Sequence, residues 1–200
     1  MKMFRVTMAA AALALTAWPA AADKLTLGQI SNYLNGLKTA EAEFTQINND
    51  GTISTGRILI KRPGKARFEY NPPVEALVIA GSQQVAIFDG KSNTGPTQYP
   101  LKRTPLNLIL ARNIDLNTAR MVVGHEYDGT ATSVIAQDPE HPEYGTIKLM
   151  FSAAPVELRQ WIITDNAGEQ TTVILGEMSK GASLANSLFS ITGEKNRRNN

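Results

Sequence analysis

Cysteine is absent from all 200 residues. That excludes a disulfide-stapled fold, a thiolate nucleophile and a thiolate metal site together. Histidine occurs only as His125 and His141, both expected in or beside turns and in neither an H-E-x-x-H nor an H-x-x-E-H arrangement, so no metal site is expected. Glu126 follows His125 directly, and on a strand the two point to opposite faces. G-x-S-x-G elbows, P-loops and G-x-G-x-x-G loops are missing as well. The acidic stretch Asp138-Pro139-Glu140-His141-Pro142-Glu143 lacks the ligand spacing and turn glycine of a calcium loop, and reads as a solvated loop.

Charge of one sign is also lacking once the N-terminus is set aside. Lys2 and Arg5 precede an almost wholly apolar run, Val6 to Ala17, and Ala20-Ala21-Ala22 supplies small residues for cleavage before Asp23. Residues 1–22 are therefore expected to be a secretory signal peptide, with an apolar run too short to span a bilayer as a helix. Removing Lys2 and Arg5 from the 20 basic residues leaves 18, against 18 acidic ones. A neutral exported chain of about 178 residues carries no field suited to nucleic acid. It fits a single domain, residues 23–200, with a substantial core. With no cysteine near the cleavage point, the chain is not expected to become a lipoprotein itself.

What is present is mostly a period of two. Thr26-Leu27-Gly28-Gln29 reads as a capping box, and Leu27, Ile30, Leu34 and Leu37 follow at helical spacing, giving a helix over 27–37. Strands are expected at 42–48, 53–61, 66–71, 76–80, 84–89 and 97–101, then at 119–127, 131–137, 146–152, 157–165 and 169–177. Turn chemistry stands between them at Asn49-Asp50-Gly51, Asp89-Gly90-Lys91, Asp128-Gly129 and Asn166-Ala167-Gly168. Many short strands at regular spacing argue for one large antiparallel sheet. The clear interruption is 104–118, where Thr104 is a good N-cap, Pro105 suits the first helical position and Leu106, Ile109 and Leu110 form an apolar face. Two one-sided helices would cover the concave face of a curled sheet, over either a filled core or a cavity.

The stretch from Arg57 to Pro73 is the most informative. It reads as two strands joined by a Pro-Gly turn, with Ile58, Ile60 and Arg62 on one face. A cation at the end of a row of isoleucines needs a partner, because an unpaired buried charge is costly. Arg62 is thus either a latch at the rim of an apolar interior or an edge arginine in solvent. Phe68, Phe88, Met150 and Trp161 either line such an interior or fill a core. Arg67 and Glu69 share a face and are expected in solvent. Lys195, Arg197 and Arg198 make a basic tail, either disordered or weakly drawn to an anionic membrane or acidic partner.

Lys61-Arg62-Pro63-Gly64-Lys65-Ala66-Arg67-Phe68-Glu69-Tyr70, followed by Pro72-Pro73, resembles the "RPGKFRWEY…P" hairpin of the LolA family, periplasmic lipoprotein carriers of Gram-negative bacteria. Thr104-Pro105-Leu106-Asn107-Leu108-Ile109-Leu110-Ala111-Arg112-Asn113 is similar to that family's short lid helix. Trp161-Ile162-Ile163-Thr164-Asp165-Asn166-Ala167-Gly168 is similar to its late "W-x-x-x-D-x-x-G" hairpin. The three stand in family order and, with the first helix, cover nearly all of the exported chain.

The resemblance implies a mainly β fold, an unclosed antiparallel β-barrel or curved half-barrel, with helices as a lid over an apolar cavity. It implies a periplasmic chaperone, not an enzyme, that takes acylated lipoproteins from an inner-membrane ABC exporter of the LolCDE type to an outer-membrane receptor of the LolB type. No cofactor or metal is implied, and a monomer is expected. Arg62 matches the family arginine that bonds to lid backbone in the closed form; Ile58, Ile60, Phe68, Leu106, Ile109 and Leu110 are the expected lid and cavity lining. Departures are Ala86 where the family often has an aromatic, which would leave a wider or differently shaped cavity, and Phe189-Ser190-Ile191-Thr192-Gly193 where a closing strand "F-x-F-x-x-P" is usual. The extra C-terminal hairpin of some members is missing, which puts avoidance of membranes in question. Two rivals are a LolA-like sensor of the RseB kind, which usually has a second domain, and a small enzyme on the same scaffold.

Overall fold

The computed structural model describes residues 23–90, 95–104 and 106–199. The expected signal peptide, Pro105 and Lys91 lie outside the described residues. The first helix, α1 (Leu27–Gly36), starts at the expected capping box: Thr26 Oγ1 accepts from Gln29 N at 3.1 Å, and Gln29 Oε1 accepts from Thr26 N at 2.8 Å. Its stripe of Ile30 and Leu34 is fully buried.

Six strands follow: β1 (Thr39–Ile47), β2 (Ile53–Lys61), β3 (Lys65–Tyr70), β4 (Leu77–Gly81), β5 (Gln84–Phe88) and β6 (Thr97–Pro100). A 3₁₀ turn (Leu101–Arg103) leads to α2 (Leu106–Leu110). Then come β7 (Val122–Tyr127), β8 (Thr132–Gln137), β9 (Thr146–Ala153), β10 (Val156–Thr164), β11 (Gln170–Leu175) and the two-residue β12 (Ser179–Lys180). A second 3₁₀ turn (Asn186–Phe189) precedes α3 (Ile191–Arg198). Each of the eleven expected strands is present within a few residues of its expected bounds. The second helix is shorter than 104–113, because beyond Leu110 its carbonyls turn to the β2–β3 hairpin. The Thr104 hydroxyl donates to Leu101 O at 2.8 Å and closes the preceding turn.

All twelve strands form one antiparallel sheet in the order β6-β5-β4-β3-β2-β1-β11-β10-β9-β8-β7, with β12 paired to the start of β1. Among the described residues β6 and β7 are its two unpaired edges, so the sheet is not closed into a barrel. Register assigns the faces. Ile58 pairs with Ala42 and Phe68, and Phe68 with Val78, so these share one face. Trp161 pairs with Val173 and Leu149, and Leu149 with Val134, and these reach the same core. That core also takes in Ile30, Leu34, Leu108, Ile109 and Leu110 of the helices. Strands far apart in the sheet can meet one pair of helices only if the sheet curls around them.

Close packing fixes two glycines. A Cβ on Gly56 would stand 2.2 Å from Glu69 O and 2.7 Å from Phe44 Cζ, the ring that lies over it. One on Gly81 would stand 2.3 Å from Phe189 O, where the C-terminal segment crosses the outer face.

That crossing corrects several expectations. Phe88 and Ala86 lie on the outer face in a second small core with Leu77 and Ile79, against which Ile191 packs. Ala86 therefore does not shape the interior. Residues 189–193 do not form a closing strand; Ser190 Oγ accepts from Gly193 N at 3.0 Å and caps α3. The basic tail is thus an ordered helix, with Arg198 stacked 5.0 Å from the Phe88 ring. Arg67 is not solvated: it is buried, with Nε on Glu69 at 2.7 Å, Nη1 on Leu188 O at 3.1 Å, and Glu194 Oε2 3.7 Å away. Glu194, itself buried, also takes Arg197 at 2.5 Å and Arg198 at 3.0 Å. Desolvation alone would raise its carboxyl, but those bonds and the field of Arg67 prevail, holding its pKa below the ordinary value.

Candidate functional site

β2 delivers Ile58 and Ile60 to the inner face, β3 delivers Phe68, and all three are buried. An aromatic chain runs along this face. Phe44 meets Tyr70 at 5.0 Å and Phe68 at 6.0 Å, and Phe68 meets Trp161 at 6.2 Å, all edge to face. Such pairs add about 0.5–1.5 kcal/mol each beyond area burial. α2 seats Leu108, Ile109 and Leu110 against the same interior, with Leu106 half-buried at its margin. From the far side, Tyr33 of α1 meets Phe151 at 6.1 Å, and its hydroxyl accepts from Leu158 N at 3.2 Å. Burial raises the Tyr33 phenol, and the Leu158 N–H partly offsets this.

The β2–β3 hairpin grips the end of α2. Helix ends leave carbonyls without intrahelical donors, and here the hairpin supplies them. Gly64 N donates to Leu110 O at 2.8 Å, and Arg62 Nη2 donates to Ala111 O at 2.5 Å. The Pro-Gly turn permits this, since Gly64 holds φ 74°, the left-handed conformation glycine adopts readily. Arg62 is half-buried, and desolvation pulls its guanidinium below the ordinary pKa. Its Nε is buried without a hydrogen-bond partner among the described residues.

Polar groups around the helices bond to distant backbone with which sequence reasoning did not pair them. Asn35 and Ser31 of α1 bind backbone of Ile114 and Leu116. Thr132 Oγ1 accepts from Leu25 N at 2.8 Å, and His125 Nε2 lies 2.8 Å from Leu25 O. His125 is thus inside strand β7, not at a turn, while Glu126 faces away and pairs with Lys148 at 2.8 Å. The helical spacing of Ser31 and Asn35 was visible in the sequence; their distant partners were not. Of the four aromatic or sulfur side chains weighed earlier, Phe68 and Trp161 enter the interior, Phe88 does not, and Met150 lies half-buried between the inward Leu149 and Phe151.

Among the described residues, the inner face is open at the strand ends opposite the hairpin grip. An open groove of about 570 Å³ is bounded by Gln46, Tyr70, Val74, Val78 and Ile87, and none of its lining residues is charged. Tyr70 closes its floor by donating to Gln46 Oε1 at 2.6 Å, and burial raises its phenol. Among the described residues no three His, Asp or Glu side chains are grouped to hold a metal ion, and no helix is long and apolar enough to cross a membrane.

A family model described as "Outer membrane lipoprotein carrier protein LolA" matches residues 35–192. An outer-membrane lipoprotein carrier protein of Cupriavidus taiwanensis is 28% identical over 199 residues, covering 94% of this chain and 93% of that protein. One of Pseudomonas paraeruginosa is 24% identical over 193 residues, covering 92% and 91%. Among solved structures, a putative outer membrane lipoprotein-sorting protein domain from Vibrio parahaemolyticus aligns with a TM-score of 0.49 at 10% identity, over 87% of this chain and 97% of that one. With a family model spanning most of its length, the chain belongs to the LolA family of outer membrane lipoprotein carrier proteins.

Proposed function

We propose that this protein is a periplasmic chaperone that shields the acyl chains of lipoproteins between the inner and outer membranes. Residues 1–22 would be the signal peptide and residues 23–200 one carrier domain. The need is physical: each buried methylene is worth roughly 0.8 kcal/mol, so a long acyl chain in water costs on the order of 10 kcal/mol. A carrier must hide that surface and then release it, which calls for closed and open states close in free energy.

The observation that carries the reading is the bond from Arg62 to Ala111 O at the rim of an apolar interior. One hydrogen bond from a charged donor is worth about 1.5–3 kcal/mol, enough to favour closure and little enough to be undone by cargo. In this reading Ile58, Ile60 and Phe68 line the acyl site, and Leu106, Ile109 and Leu110 form the underside of the lid. A LolCDE-type exporter supplies the cargo and hydrolyses ATP, and a LolB-type receptor, where one exists, accepts it. The carrier acts as a monomer, without catalysis, metal or nucleotide. Its polar side chains near the helices favour this over an enzyme, because buried Ser31 and Thr132 and half-buried Asn35 are engaged with backbone.

The deciding experiment is detergent-free isolation of the exported protein from periplasm, followed by mass spectrometry of what co-purifies. Stoichiometric acylated lipoproteins in the wild type, lost from a folded Ile60→Glu variant, are expected. An empty protein that also fails to extract lipoproteins from spheroplasts would overturn the reading.

A further inference from the structure

Asn35, on the last turn of α1, makes a set of contacts that the Arg62 bond alone does not explain. Its carboxamide engages both backbone groups of Ile114: Nδ2 donates to Ile114 O at 2.7 Å, and Oδ1 accepts from Ile114 N at 3.0 Å. The same Oδ1 lies 3.4 Å from Arg62 Nη2, the nitrogen that donates to Ala111 O. One turn earlier, Ser31 Oγ accepts from Leu116 N at 3.0 Å and donates to Leu27 O at 2.7 Å. Ser31 and Asn35, four residues apart, share one helix face. Their acceptors meet the N–H groups of two residues whose side chains, Ile114 and Leu116, are both buried. The segment after α2 is therefore joined to α1 by side chains that do what a neighbouring strand would do.

We propose that Asn35 is the positioning residue of the latch. It fixes residues 111–116 against α1, so that the Ala111 carbonyl stands within reach of Arg62. A consequence follows for how the interior opens. The grip of the hairpin comprises the bonds from Arg62 to Ala111 O and from Gly64 to Leu110 O. The join to α1 comprises the two Asn35 bonds and the Ser31 bond. Breaking the first set leaves the second intact, so residues 111–116 stay with α1, whose own end remains joined to β2 by Arg62 N donating to Lys38 O at 2.8 Å. The functional half of this inference rests on the carrier reading; the mechanical half does not.

Amide hydrogen exchange resolved to single residues tests it. In Arg62→Ala, Gly64 N–H is expected to exchange about tenfold faster, while Ile114 and Leu116 keep their protection. In Asn35→Ala, Ile114, Leu116 and Gly64 are all expected to quicken by about tenfold, with the amides of β2 and β9 unchanged. Asn35→Asp keeps the shape and an acceptor for Ile114 N but turns a carboxylate oxygen toward Ile114 O. It should release Ile114 while leaving Arg62 attracted, and it serves where the alanine variant fails to fold. The proposal is overturned if Asn35→Ala quickens Ile114 alone, or if Arg62→Ala frees Ile114 as readily as Asn35→Ala does. A parallel assay follows transfer of a radiolabelled acylated lipoprotein from the loaded carrier to outer-membrane vesicles. The exchange pattern without any cargo uptake would leave the join standing and sink the carrier reading instead.

Discussion

Two arginines on neighbouring stretches of one hairpin do opposite jobs. Arg62 reaches inward to a carbonyl at the rim, and its buried Nε has no hydrogen-bond partner among the described residues. Arg67 points outward, yet it is the more buried of the two and has Glu69, Glu194 and Leu188 O around it. Removing one partner from a buried ion pair costs about 3–5 kcal/mol. Because Glu69 keeps Arg57 and Glu194 keeps Arg197 and Arg198, Arg67→Ala is expected at the low end of that range, lowering the melting temperature by roughly 6–12 °C, read by calorimetry on the exported form. A drop under about 2 °C would mean that the ion cluster is peripheral to stability. The inward geometry of Arg62 was legible because alternation along β2 and the Pro-Gly turn are local. The environment of Arg67 was not, because alternation says only that a side chain faces outward. What covers it comes from Leu188 and Glu194, more than a hundred residues along the chain.

Elements followed the same division between local and distant causes. The eleven longer strands and α1 were readable from period, turn glycines and a capping box, all contained within a few residues. β12 was not, since two residues carry no period. Nor was α3, although its signals are present: Ser190 as a cap, Glu194 in the first turn, and Arg197 and Arg198 three and four residues on. The apolar partner of so polar a helix lies on β4 and β5, where Ile191 packs, and nothing near α3 in sequence announces it. Its anchoring carries a pH signature. Glu194 and Glu69 both hold folded-state pKa values below the ordinary glutamate value of about 4.3, despite desolvation, because arginines bond to them. Their contribution is complete above that value and is lost as pH falls through the depressed folded pKa. The Ile191 methyl resonances should therefore hold steady from neutral pH to about 5 and shift below about 4. In Glu194→Gln that acid-side shift should be much reduced; an unchanged shift would place its origin elsewhere.

The molecule as a whole is a sheet used on both sides. The inner face wraps the helices of the candidate site, and the outer face of β3–β5 is sealed by the C-terminal segment over Leu77, Ile79, Ala86 and Phe88. Ending the chain at Phe189 should expose that outer patch and promote self-association, detectable by light scattering, while exchange at Gly64 and Ile114 stays as in the full chain. A monodisperse truncated protein would show that α3 is dispensable for solubility. The separateness of the two faces was not legible from composition, since both are built of the same residue types; only register distinguishes them. The stretch between β6 and β7 also joins the two unpaired edges of the sheet, so the cover is a strap sewn down at both ends. It cannot swing away; it can only bow outward, and how far is a matter of slack. α2 stores some of it: five residues drawn from a helical rise of 1.5 Å to an extended rise of about 3.3 Å release roughly 9 Å of chain.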